Sequence, residues 1–143
     1  PPQAKYFKLL SDPSISPEQA VKTLLFPKSA AKEADAYLQT IKALPSEKMN
    51  PDALKAQAHA VTKENKGKGI WQALPSINNR ILILNGTDDV LTPVINAQRI
   101  ADAIPGSWLV RIKGAGHGVL FQKPIFGAKL IQLFLAQNDN KSI

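Results

Sequence analysis

Two residues in this chain have the type and setting for acid–base chemistry. Asp89 closes the turn Gly86-Thr-Asp-Asp89, directly after the apolar run Ile81-Leu-Ile-Leu84. His117 lies twenty-eight residues later in Gly114-Ala-Gly-His117-Gly118, just past Trp108-Leu-Val-Arg-Ile112. An imidazole changes charge near neutral pH, so it can take a proton from an attacking group and return it to a leaving group. A carboxylate on its other ring nitrogen orients it and stabilises the imidazolium. These are two parts of a three-part nucleophilic apparatus. The third, a Gly-x-Ser-x-Gly turn, is absent. The serines fall in caps, turns and the tail rather than on a strand-to-helix elbow, so none is a candidate nucleophile.

The elements around these residues fit that use. Ile81–Leu84 has the uninterrupted apolar character of a parallel strand covered on both faces. Thr92-Pro93 opens a helix with Val94, Ala97, Ile100, Ala101 and Ile104 on its inner side, and Pro105-Gly106 ends it. Residues 108–112 form a second strand. Pro124 begins a last helix carrying Phe126, Leu130, Ile131, Phe134 and Leu135. Strand, helix, strand, helix of this length implies a parallel pair joined by a right-handed crossover. The sequence thus predicts an α/β core over 76–143. Residues 1–75 read differently, as short helices. Ser16-Pro17 caps one through Leu24–Leu25. A second covers 29–43, with Ala30, Ala34, Leu38 and Ile41 in one stripe. Asn50-Pro51 opens a third with Leu54, Ala58 and Val61.

Composition narrows the function classes. The 143 residues are one domain's length, and 44% hydrophobic content is enough for a core. There is no cysteine, and the two histidines have no acidic neighbours at metal-site spacing, so neither a metal nor a cofactor site is expected. The net charge of +7 is spread along the chain. Its one concentration, Lys63, Lys66 and Lys68 beside Gly67 and Gly69, reads as a solvated loop, so nucleic acid is not an expected partner. No stretch approaches the roughly 20 apolar residues of a helical membrane span. His59, among alanines, reads as an ordinary helix residue. Phe7, Leu24, Leu25, Phe26 and Leu38 could line an acyl pocket or simply pack helices.

Taken with their order and spacing, Gly86-Thr-Asp-Asp89 before Thr92-Pro93 and Gly114-Ala-Gly-His117-Gly118 after the next strand resemble the C-terminal part of an α/β-hydrolase. Trp71-Gln-Ala-Leu-Pro-Ser-Ile77 is similar to that family's return from a helical lid to the sheet. The resemblance implies a partial α/β-hydrolase fold, with a lid segment at 1–75 and a β-α-β-α core segment at 76–143. It implies His117 as general base and Asp89, rather than Asp88, as its carboxylate partner. It implies a small-molecule ester or amide substrate, cleaved by acyl transfer in a carboxylesterase- or lipase-like enzyme.

Two strands make a poor sheet, since both edges stay open. Pro1-Pro-Gln-Ala-Lys has neither an initiator Met nor the apolar core of a signal peptide, and reads as a cut end. The expectation is a chain that lacks the N-terminal, nucleophile-bearing half and is inactive alone. The alternative is a non-catalytic interaction module that self-associates as a homodimer through its open sheet edge.

Overall fold

The computed structural model describes residues 6, 9, 12–45, 50–66 and 70–137, and only the backbone of 54, 58, 61, 62 and 64–66. The expected stripe of Leu54, Ala58 and Val61, the proposed pocket residue Phe7 and the Lys66–Gly69 stretch therefore lie outside the described side chains or residues.

Helix α1 (Pro17–Leu25) starts where Ser16 Oγ accepts the Gln19 amide and proline takes the first turn. It buries Ala20 and Leu24 and ends at Phe26, which is extended before Pro27. A 3₁₀ turn (Lys28–Ala30) leads into α2 (Ala31–Ala43), so the helix predicted from residue 29 begins as a tighter turn. Ala30, Ala34 and Leu38 are buried, but Ile41 is exposed at the helix end. Helix α3 (Pro51–Lys66) is opened by Asn50, whose Oδ1 accepts the Asp52 amide. Another 3₁₀ turn (Trp71–Ser76) buries Leu74 before the sheet.

Strand β1 (Leu82–Gly86) and strand β2 (Trp108–Ile112) are parallel, with Leu82 opposite Trp108 and Gly86 opposite Ile112. Helix α4 (Val94–Ala103) connects them and packs on both. A one-turn helix α5 (Val119–Gln122), not foreseen in the sequence, precedes α6 (Pro124–Ala136). Alternation on β2 places Trp108, Val110 and Ile112 on one face. There Ile112 and Val110 pack with Ala115 and Val119, and Trp108 meets Phe134 of α6 edge-on at 5.6 Å. Arg80 donates to the Phe134 carbonyl and lies 4.4 Å over its ring.

The apolar run of β1 is less covered than its composition suggested. Ile81–Leu84 are half-buried, and only Asn85 and Gly86 are buried. The reason is topological: among the described residues β1 has one neighbour, β2. Helix α6 likewise shows more apolar surface than the pair can cover, with Ile125, Phe126, Leu133 and Leu135 exposed. The helical segment is fastened to the core by rings. Tyr37 of α2 stands between Phe26 at 5.5 Å and Phe121 of α5 at 4.4 Å.

Candidate active site

The strand ends bring the two chemical residues together. His117 Nδ1 lies 3.0 Å from Asp89 Oδ2. The Asp89 side chain is only 3% exposed and the His117 side chain 40%. The carboxylate is thus behind the ring, and the ring has an open side. Asp89 can only accept as a carboxylate, so the ring proton is assigned to Nδ1 by its partner, leaving the Nε2 lone pair available.

Close backbone approach makes this contact possible. A Cβ on Gly86 would sit 2.1 Å from the Ala115 carbonyl oxygen and 2.5 Å from that of Gly116. Only glycine lets the Asp turn lie this close to the His loop. Cross-links hold the approach: the Asp88 amide donates to Ala115 O at 2.9 Å, the Thr87 amide to Ile112 O at 3.1 Å, and the Gly114 amide to Thr87 Oγ1 at 2.9 Å.

Each half of the pair has its own support. Asp89 Oδ1 accepts the amides of Leu91 at 2.9 Å and Thr92 at 2.8 Å. Oδ2 accepts the Thr92 hydroxyl at 2.6 Å and the Asn85 Nδ2 group at 3.3 Å. Around His117, the Gly116 amide donates to the buried Gln122 Oε1 at 2.7 Å, and the Gly118 amide donates to Leu25 O at the end of α1, also at 2.7 Å. Asp88, the rejected carboxylate, is exposed and accepts from Thr87 Oγ1.

Sequence reasoning missed four contributors. Asn85 follows the apolar run and was not singled out, Thr92 read only as helix opener, Gln122 fell in the unassigned stretch before Pro124, and the Leu25 carbonyl carried no signal. A Thr three residues after Asp, in a turn, does fit a side-chain-capped loop and was readable in principle. Asn85 also holds an open acceptor: its buried Oδ1 has no donor among the described residues.

A cleft of about 430 Å³ lies beside the Asp turn. Leu24, Phe26, Pro27 and Val90 supply apolar wall, and Lys22, paired with Asp35, is on its rim. Of the residues expected to form a pocket, Leu24 and Phe26 line this cleft. Leu25 packs beside Phe26 instead, and Leu38 is buried in α2. His59 is exposed, and no group of three metal-ligating residues occurs among the described residues. No serine hydrogen-bonds His117 among them. Ser16, Ser76 and Ser107 hold local backbone.

Residues 70–139 match the profile of the family described as TAP-like protein, an α/β-hydrolase group. No curated protein sequence matches the chain. Among solved structures, it superposes on an α/β-hydrolase fold protein from Chitinophaga pinensis with a TM-score of 0.75 at 18% identity, covering 94% of this chain and 52% of that one. A thermophilic esterase from Thermogutta terrifontis gives 0.65 at 22%, covering 84% and 43%. An N-acyl homoserine lactone degrading enzyme gives 0.62 at 22%, covering 92% and 51%. The chain spans about half the length of these structures. Its fold is that of the C-terminal part of an α/β-hydrolase.

Proposed function

We propose that Asp89 and His117 are the acid and base of a Ser-His-Asp-type hydrolase that acts on an ester or a related acyl bond. The observation that carries this reading is the 3.0 Å contact between His117 Nδ1 and a buried Asp89, with the ring open on its other side. His117 Nε2 takes the proton of a nucleophile hydroxyl as its oxygen attacks the substrate carbonyl. The same proton passes to the leaving alcohol or amine as the tetrahedral adduct collapses to an acyl-enzyme. A water molecule then repeats the cycle, with His117 as base, and releases the acid. Asp89 keeps the ring in the needed tautomer and faces the imidazolium when it forms.

The nucleophile and oxyanion donors come, in this reading, from a further portion of the protein that also covers the open edge of β1. The exposed apolar residues of α6 and the open Asn85 Oδ1 support such a covering. The helical segment before residue 76 serves as a lid flanking the cleft, whose apolar wall suits an acyl or alkyl group. The esterase and the lactone-degrading enzyme among the similar structures support ester or lactone substrates.

A second reading, a non-catalytic module that dimerises through the open edge, draws on the same uncovered β1 and α6. It gives no account of a buried carboxylate with its full set of donors aimed at an accessible imidazole. The test is a chromogenic short-chain ester assay on this chain and on the longer reading frame that contains it. Turnover only in the longer protein, abolished by His117→Ala, is the expected result. Turnover unaffected by His117→Ala overturns the reading.

A further inference from the structure

Thr92 Oγ1 lies 2.6 Å from Asp89 Oδ2 and 3.3 Å from His117 Nδ1, while those two atoms are 3.0 Å apart. Three polar atoms thus form one closed triangle with two protons to share. A hydroxyl has one proton, and the short contact to a charged acceptor takes it. The hydroxyl lone pairs are then left for the ring N–H. The opposite arrangement, with the hydroxyl donating to a bare Nδ1, would set lone pairs of Nδ1 and Oδ2 against each other at 3.0 Å. The contacts on the carboxylate are also unequal. Oδ1 is held by two backbone amides. Oδ2, the oxygen that meets the imidazole, has among the described residues only the Thr92 hydroxyl and the longer Asn85 contact besides the ring. The two oxygens turn together about one soft torsion, so the amides on Oδ1 and the hydroxyl on Oδ2 hold the carboxylate jointly, and the hydroxyl is the contact on the side that faces the ring.

We propose that Thr92 is a positioning residue: its hydroxyl anchors Asp89 Oδ2 and serves as second acceptor for the His117 Nδ1 proton, which fixes the tautomer and plane of the base. This rests on the reading of His117 as base. Its consequence is that the Nδ1 proton sits in a two-acceptor fork and is slow to leave.

The test uses the 143-residue chain with ¹⁵N-labelled histidine rings, His59 acting as an exposed reference within the same molecule. Ring ¹⁵N shifts report the tautomer, and water exchange of the Nδ1 proton reports the fork. Wild type and Thr92→Ser should show one tautomer, protonated at Nδ1, with slow exchange. Thr92→Val keeps the backbone amides and the branched shape but removes the hydroxyl, and should raise Nδ1 exchange by about tenfold, the effect of one lost hydrogen bond. Thr92→Ala gives the same comparison if the valine variant does not fold. A merely structural role predicts no change at His117 in a folded variant. If Thr92→Val or Thr92→Ala matches wild type, this proposal is overturned and the Asp89–His117 pair stands. If the wild-type ring already matches His59, the pair itself is absent, and both readings fall together.

Discussion

The close packing at Gly86 offers the sharpest test of how the two loops are held together. Gly86 has a negative φ, so alanine brings no backbone strain there. By unfolded-state entropy alone Gly86→Ala would stabilise by about 0.4–1 kcal/mol. Space reverses the sign. The new Cβ would stand 2.1 Å from Ala115 O and 2.4 Å from Ala115 C, where real contacts stay beyond about 3.0 Å. Both are backbone atoms, so no side chain can swing aside. The loops must separate by about an ångström, at an overpacking cost of about 1–3 kcal/mol. That separation stretches the 2.9 Å bond from the Asp88 amide to Ala115 O beyond bonding range, at about 1 kcal/mol more. The net is a loss of about 1–4 kcal/mol, from a total that for a domain is about 5–15 kcal/mol. Urea unfolding followed by fluorescence of Trp71 and Trp108 should show a midpoint lower by about 1 M, taking a slope of about 1–3 kcal/mol per M. Asp88 amide exchange should accelerate in the same variant. A midpoint at or above wild type, with Asp88 still protected, would refute the argument that main-chain contact sets the spacing of Asp89 and His117.

Other expectations follow from single contacts. Gln122→Leu leaves the buried Gly116 amide without its acceptor and should cost about 1–3 kcal/mol in urea unfolding, with the largest amide shift changes at residues 115–118. Tyr37→Leu removes both ring contacts between α2 and its neighbours. It should cost about 1–2 kcal/mol and increase proteolysis between α2 and α3 more than within the sheet. The Ser14 hydroxyl, and after it the Ser14 amide, hold the Asp12 carboxyl below its ordinary value of 3.8. A lowered native value means that these bonds are present above the ordinary value and are lost as pH falls through the lowered one. The Ser14 amide shift should therefore titrate below pH 3.8, and Asp12→Asn should abolish that titration.

What could be read from the sequence was whatever depends on local order. Ser16-Pro17 and Asn50-Pro51 mark their helix starts because capping is decided within four residues. Asp89 was preferred to Asp88 only through the resemblance, as the fourth residue of the Gly-x-x-Asp turn; of the two it is the one buried against His117. The contributors that escaped notice act across the chain. Tyr37 meets Phe121 only after the helical segment folds back on the core, and periodicity within α2 says nothing of that. Gln122 looks like any polar residue ahead of Pro124 until its side chain turns back to Gly116. The burial of β1 was overestimated because an apolar run reports what a strand needs, not what neighbours it has among the described residues. The proposed ester-cleaving role rests on the two motifs together, and the substrate is not encoded in either.

The bond from the Gly118 amide to Leu25 O gives α1 mechanical authority over the His117 loop. A Cβ at Gly116 would meet that same carbonyl at 2.7 Å, so the strap of residues 25–27 presses on the His loop as well as bonding it. Helix α1 therefore cannot swing outward as a free flap while its last residue stays in place. Any motion that opens the cleft must pivot N-terminal to Leu25, tilting the helix about its C-terminal end, or else release the loop and carry the imidazole with it. If His117 is the base proposed above, access and proton transfer become two settings of one lever, and a molecule wedged under α1 would misalign His117 without touching it.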